Sequence, residues 1–414
     1  MSKKSGSIWL RYLGCFLAGI AVALGTRFFL ESRAHEPARK RVGGTLVAAQ
    51  PPGNQPWGTL DALRIPLANP DEIFVDRPAR LRPARWVFQG LSREQLGAAL
   101  RDAGLNQGMQ RELLAGAQQD GTNGWMLLPS NKLVRELTPS SRASLYSLLS
   151  RSSANYTQCY PFRFAFKTFE ERLAEADFDE QTSNAFGSLL YTNAGTVCFA
   201  DLQALPEILK PQQVNEVEEF VYRLPTYRLR LRIYTNSDIG ALVKYWGTGG
   251  QEKKMRPLLE SLTYVRRTNG TSINIGSMMP PFARFRLNTF PSAWEEAEAR
   301  EEDCFWTSMN FFHEKPDMRY LDPENVRKAL QEEYTIVRGQ PEFGDLVTII
   351  NERGDAVHMC VYIAEDFVFT KNGKNPLQPW VIMKIRDMLV SFATEHGPKM
   401  VIFRQKAQPL TKSP

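Results

Sequence analysis

Histidine is scarce in this chain, with only His35, His313, His358 and His396 among 414 residues. A mechanism that moves a proton through an imidazole therefore has four candidate positions, and His35 lies in a stretch of linker composition. Cysteine is nearly as sparse. Cys15, Cys159, Cys198, Cys304 and Cys360 are odd in number and widely spaced, with no CxxC pair and no histidines at metal-ligand spacing. That pattern argues against a zinc site, and neither metal nor other cofactor is expected. Most of these thiols read as buried and inert, and Cys159 and Cys198 could pair only in an oxidising compartment. A strong charge of one sign is also lacking: 51 Lys and Arg against 45 Asp and Glu leave +6, too dilute for a nucleic-acid surface. No fixed-period repeat or long low-complexity tract is present.

Long apolar runs are missing too, except at the start. Ile8 to Leu30 is broken only by Arg11 and Arg27, and it is long enough to span a bilayer with those arginines near its ends. Residues 1–30 read as a signal peptide or a membrane anchor, and Ala21-Val22-Ala23 offers a small-x-small cleavage site. Cys15 sits inside the run rather than at its end, against a lipoprotein signal. Basic residues flank both sides, so the charge rule alone does not fix the orientation.

Residues 31–84 turn to Pro, Arg, Gly and short polar pieces and read as a linker, whose later part, with Trp57 and Leu60, could dock on the folded body. Residues 85–224 carry helical signals: Ser92 with Gln95 as a capping box, Thr138-Pro139 as a helix start, and helices over 169–176, 183–191 and 211–222. They predict a mainly helical domain of unknown role. In the connecting region 225–281, Tyr227 to Ile233 alternates strictly, a half-buried strand with three arginines outward. Two helix-like stretches follow, then short strands at 271–275 and 283–287 on either side of Pro280-Pro281.

The remaining segment holds the chemistry. Asp303 is a good N-cap residue, which puts Cys304 in a helix's first turn, where unpaired amides favour a thiolate and can hold an oxyanion. A capped helix from Asp322-Pro323 to Tyr334 follows, then strands at 345–351, 357–363 and 367–371, with His358 on the second. His313 lies nine residues beyond Cys304, roughly 13 Å along a helix axis and out of reach. Cys360 shares the face of His358 but lacks helix amides, His396 reads as a turn residue, and Asp345, after a glycine at a strand start, reads as a turn residue as well.

Asp303-Cys304 at a helix start, Phe343-Gly344-Asp345-Leu346-Val347, and His358 followed by Val361-Tyr362-Ile363 together resemble the NlpC-type papain-like cysteine peptidases that act on cell walls. The resemblance covers roughly Phe282 to Arg404, within a domain expected over residues 282–414. It implies an α+β fold in which a small antiparallel sheet follows the helix, Cys304 as nucleophile, His358 as general base, and hydrolysis of amide bonds in peptidoglycan stem peptides. It also implies an extracytoplasmic place, secreted or membrane-anchored on the periplasmic side. The family often orients its histidine from the next strand, here Phe367 to Gly373. An odd-length loop at Glu365-Asp366 would put Thr370 and Asn372 on the face of His358; a two-residue loop would put Phe369 and Lys371 there. A phenylalanine cannot orient an imidazole, so Thr370 and Asn372 are the candidates. Phe305-Trp306 stands where such enzymes commonly have Ser-Gly. This, with the third residue open, motivates one alternative, a membrane-tethered binding or scaffold protein that keeps the fold without turnover. Another is a thiol acyltransferase or amidase on another substrate that shares the same dyad.

Overall fold

A strand's apolar alternation does not say which distant segment it will meet, and the pairing of Thr59–Pro66 with Pro225–Ile233 joins residues more than 150 positions apart. The computed structural model describes residues 46–47, 55–68, 70, 83–121, 124–265, 270–291, 302–373, 378–392 and 397–406. The expected leader or anchor at 1–30, with Cys15 and His35, lies outside these residues, as does His396. Among the described residues no helix is long and apolar enough to cross a membrane.

The strands β1 (Leu46–Val47) and β2 (Thr59–Pro66) pair antiparallel within the stretch read as a linker. Leu60 and Ala62 are buried on β2, and the Trp57 carbonyl accepts a 3.0 Å hydrogen bond from the Trp246 indole. The later part of that stretch is therefore structural. Its alternation is short, and the surrounding Pro and Gly hide it.

Residues 83–224 enclose one core, with Trp86, Leu100, Leu145, Phe186, Phe199 and Val217 among its members. The helix Arg93–Asp102 begins at the capping box of Ser92 and Gln95, Pro139–Leu149 begins at Thr138, and Pro211–Tyr222 begins with its proline. Between the helices lie β3 (Trp86–Gln89), β4 (Gln118–Gln119) and β5 (Gly124–Leu127) in one sheet, and β6 (Phe162–Phe164), β7 (Tyr191–Asn193) and β8 (Thr196–Phe199) in another. Strands of two to four residues are too short for periodicity to reveal. The helix expected over 183–191 runs from Glu180 to Ser188, because Asp179 caps it by accepting from the Thr182 amide at 2.7 Å. Cys159 and Cys198 are both free thiols.

Next come β9 (Pro225–Ile233) and β10 (Thr271–Asn274), giving a sheet in the order β1-β2-β9-β10. The alternation appears as read: Tyr227, Leu229, Leu231 and Ile233 are buried, Arg228 and Arg230 are exposed, and Arg232 meets Asp61 of β2 at 2.7 Å. The short strand expected over 283–287 is instead part of a helix, Pro281–Arg286. Pro281 stands at its first turn, where a fixed φ and a missing N–H suit a helix start.

The last sheet is antiparallel throughout: β11 (Tyr334–Val337), β12 (Leu346–Ile350), β13 (Ala356–Ala364), β14 (Phe367–Lys371), β15 (Trp380–Lys384) and β16 (Lys399–Gln405), in the order β11-β16-β12-β13-β14-β15. The architecture is α+β. Leu229 and Leu231 of β9 share a core with Val361, Phe369, Trp306 and Trp380, so residues 225–281 build the body on which the last sheet is packed.

Candidate functional site

Asp303 Oδ1 accepts from the Trp306 amide at 2.9 Å, which starts the helix Cys304–Met309 with the thiol in its first turn. The helix is shorter than the apolar run: Asn310 ends it, and its side-chain amide donates to the carbonyls of Trp306 and Asp317. His313 thus stands beyond the helix rather than on it, near Tyr320. Trp306 is fully buried against Phe282, and Thr307 accepts from the Trp380 indole at 2.9 Å. These contacts, with Phe311 near Phe369, seat the helix on the sheet face that carries Phe369, Lys371 and Trp380.

Two features set β12 in place, one glycine and one carboxylate clamp. Gly344 has φ +91°, and a Cβ there would collide with the Phe312 ring, so only glycine fits the turn before the strand. Asp345 accepts from the Glu342 amide and is clamped by Arg404 at 2.7 and 2.9 Å, which makes it the turn residue the sequence implied.

His358 is completely buried on β13. Its ring stacks on Phe392 with centroids 4.7 Å apart, and its Nε2 lies 2.9 Å from Thr370 Oγ1. Its Nδ1 is buried without a hydrogen-bond partner. The hairpin that brings Thr370 there contains both loop geometries considered from sequence. Next to the turn, Ala364 faces Phe367 across the two residues Glu365 and Asp366, and a bulge then shifts the register so that Tyr362 faces Val368 and Val361 faces Phe369. Continued outward, this register sets Thr370 and Asn372 on the face of His358. Asn372 does not reach the ring: its amide nitrogen points to Met383 Sδ at 3.9 Å, and its Oδ1 has no partner.

The cysteine helix and the imidazole approach β13 from different sides, and backbone direction locates where the thiol meets the strand. Tyr362 donates to Asp345 of the neighbouring segment, so alternate residues Val361 and Met359 turn their amides toward β14. The last bridge toward β14 in that direction is at Val361. The Met359 amide lies beyond it and acts on the Cys304 thiol. The structure does not bring thiol and imidazole into contact: the cysteine helix packs on the face of Phe369 and Lys371, His358 points from the opposite face, and its Nδ1 has no hydrogen-bond partner among the described residues.

Both groups rest uncharged. Burial pushes the Cys304 thiol up to about 12, and the negative charge of Asp303 adds to this, while the Met359 amide and the Lys371 charge act in the opposite direction. Burial alone lowers His358 to about 3. Cys360 is buried, with its thiol directed at the Val347 carbonyl, and burial raises it strongly.

From sequence, Lys371 enters only as a neighbour of His358 under a two-residue loop, and it has no role there. It ends β14, is fully buried, and donates to the Gly373 carbonyl at 2.6 Å. Its position inside the otherwise apolar Phe-Val-Phe-Thr-Lys strand was the available signal. Comparison with family models, curated proteins and solved structures finds no match to this chain.

Proposed function

We propose that this protein is a cysteine hydrolase of amide bonds, acting on peptidoglycan stem peptides outside the cytoplasm, with Cys304 as nucleophile, His358 as general base and Thr370 orienting the ring. The observation that carries this reading is the division of labour on His358: Nε2 is taken by Thr370, and Nδ1 is left buried and unbonded. The working tautomer has Nε2–H donating to Thr370 Oγ1 and the lone pair on Nδ1. Substrate binding has to bring the Cys304 thiol, whose helix rests on the opposite sheet face, within reach of that nitrogen. The nitrogen then takes the thiol proton as sulfur attacks a substrate carbonyl, giving a covalent acyl-enzyme that water hydrolyses. Thiol and imidazole are both neutral at rest, so substrate entry has to drive ion-pair formation. Purified protein incubated with muropeptides tests this: cleavage that disappears in Cys304→Ala and in His358→Ala supports it, and cleavage that survives either change refutes it.

A second reading, a binding or scaffold protein that keeps the fold without turnover, is favoured by the burial of the same groups, since Cys304 is only 4% exposed and His358 not at all. It expects no rapid labelling of Cys304 by thiol-reactive probes at neutral pH. Faster labelling than a free thiol of pKa about 8.5 refutes it.

A further inference from the structure

Neighbouring residues of a strand address opposite faces, and β14 ends on such a pair. Thr370 meets His358. Lys371 points to the other face, where it stands opposite Trp380 across the β14–β15 ladder, with its ammonium 5.8 Å from the Trp380 ring centroid. Trp380 in turn donates to Thr307 on the cysteine helix. The same ring lies 4.5 Å from the Arg286 guanidinium, which is doubly bonded to the buried Glu302 carboxylate, two residues before Cys304. Four charged groups thus lie beside the thiol's helix, two anionic (Glu302, Asp303) and two cationic (Arg286, Lys371).

We propose that Lys371 is a positioning residue of this site: its buried ammonium is the positive charge that holds the Cys304 thiolate once His358 has taken the proton. The proposal rests on the reading of Cys304 as a nucleophile. In the step itself the S–H bond breaks, its proton moves to His358 Nδ1, the electron pair stays on sulfur, and the lysine keeps its three protons. The groups around the thiol divide by sign. Lys371 favours the thiolate, Asp303 opposes it, Cys360 is a neutral thiol on β13, and the charges of Glu302 and Arg286 are largely spent on each other. Burial lowers Lys371 to about 8, which leaves it charged at neutral pH and weakens its influence above that.

The alkylation rate of Cys304 by iodoacetamide, followed by mass spectrometry of its peptide between pH 6 and 10, reads the thiolate fraction directly. Lys371→Met should slow it about tenfold for each unit by which the thiol is raised. Lys371→Arg should restore most of the rate, and Asp303→Asn, which keeps a capping oxygen, should increase it. The Cys159 and Cys198 rates serve as the folding control. If Lys371→Met does not fold, Lys371→Gln carries the same comparison. A folded neutral variant with the native Cys304 profile overturns the proposal. Because alkylation needs no turnover, that result is distinct from a failure to cleave muropeptides, which would count against the hydrolase reading itself.

Discussion

His358 Nε2 and Thr370 Oγ1 lie 2.9 Å apart in a fully buried pair of adjacent strands, and this contact fixes which ring nitrogen is left for other work. Thr370→Val keeps the shape and removes the partner. It should cost about 1–3 kcal/mol of stability by stranding a buried ring nitrogen. It should also lower turnover by up to about 100-fold through loss of ring orientation. Thr370→Ser should recover most of both, as checked by chemical denaturation and muropeptide cleavage.

His358 also makes stability depend on pH. Its folded-state pKa is lowered to about 3, whereas in the unfolded chain it titrates near 6.5. Between these values the unfolded state binds more protons, so the native state loses stability as pH falls from about 6.5 toward 3. Urea midpoints measured at pH 7, 6 and 5 should fall for the native protein, and the decline should be shallower in His358→Gln.

In the core of residues 83–224, Arg142 Nε and Asp201 Oδ2 form an ion pair at 3.1 Å with both side chains fully buried, and Tyr146 donates to the same carboxylate at 2.7 Å. Asp201→Ala leaves the guanidinium uncompensated and should cost about 3–5 kcal/mol. Replacing both partners by apolar residues should recover much of that loss. The denaturation free energies of the two variants decide it.

The role of β2 moves the boundary of a useful soluble fragment. A fragment starting near Ala84 would remove the strand that covers β9 and would expose Leu229 and Leu231, with an open edge that invites aggregation. A chain starting at Thr45 should stay monodisperse in size-exclusion chromatography, and the Ala84 fragment should aggregate.

Much of the site was legible from local signals. Asp303 before Cys304 announces a capped first turn, Gly344 and Asp345 announce a turn before β12, and the Tyr227–Ile233 alternation announces β9 with its arginines outward. Each depends on a residue's conformational preference or on a repeat within a few positions. The Ala283–Leu287 strand failed because a proline at a first helical turn outweighed a short apolar pattern, and β2 was hidden because its partner lies far along the chain.

By itself, the sequence determined that one thiol begins a helix, that one strand carries the imidazole, and that either Thr370 or Asn372 could serve it. The tertiary structure decided twice: a bulge in the β13–β14 hairpin sets both residues, rather than Phe369 and Lys371, on the face of His358, and packing then brings Thr370 to the ring while Asn372 turns to Met383. Burial was likewise a tertiary outcome. It keeps thiol and imidazole neutral at rest and leaves Lys371 charged on β14, on the face opposite Thr370, since desolvation depends on what packs around a group and not on its neighbours in sequence.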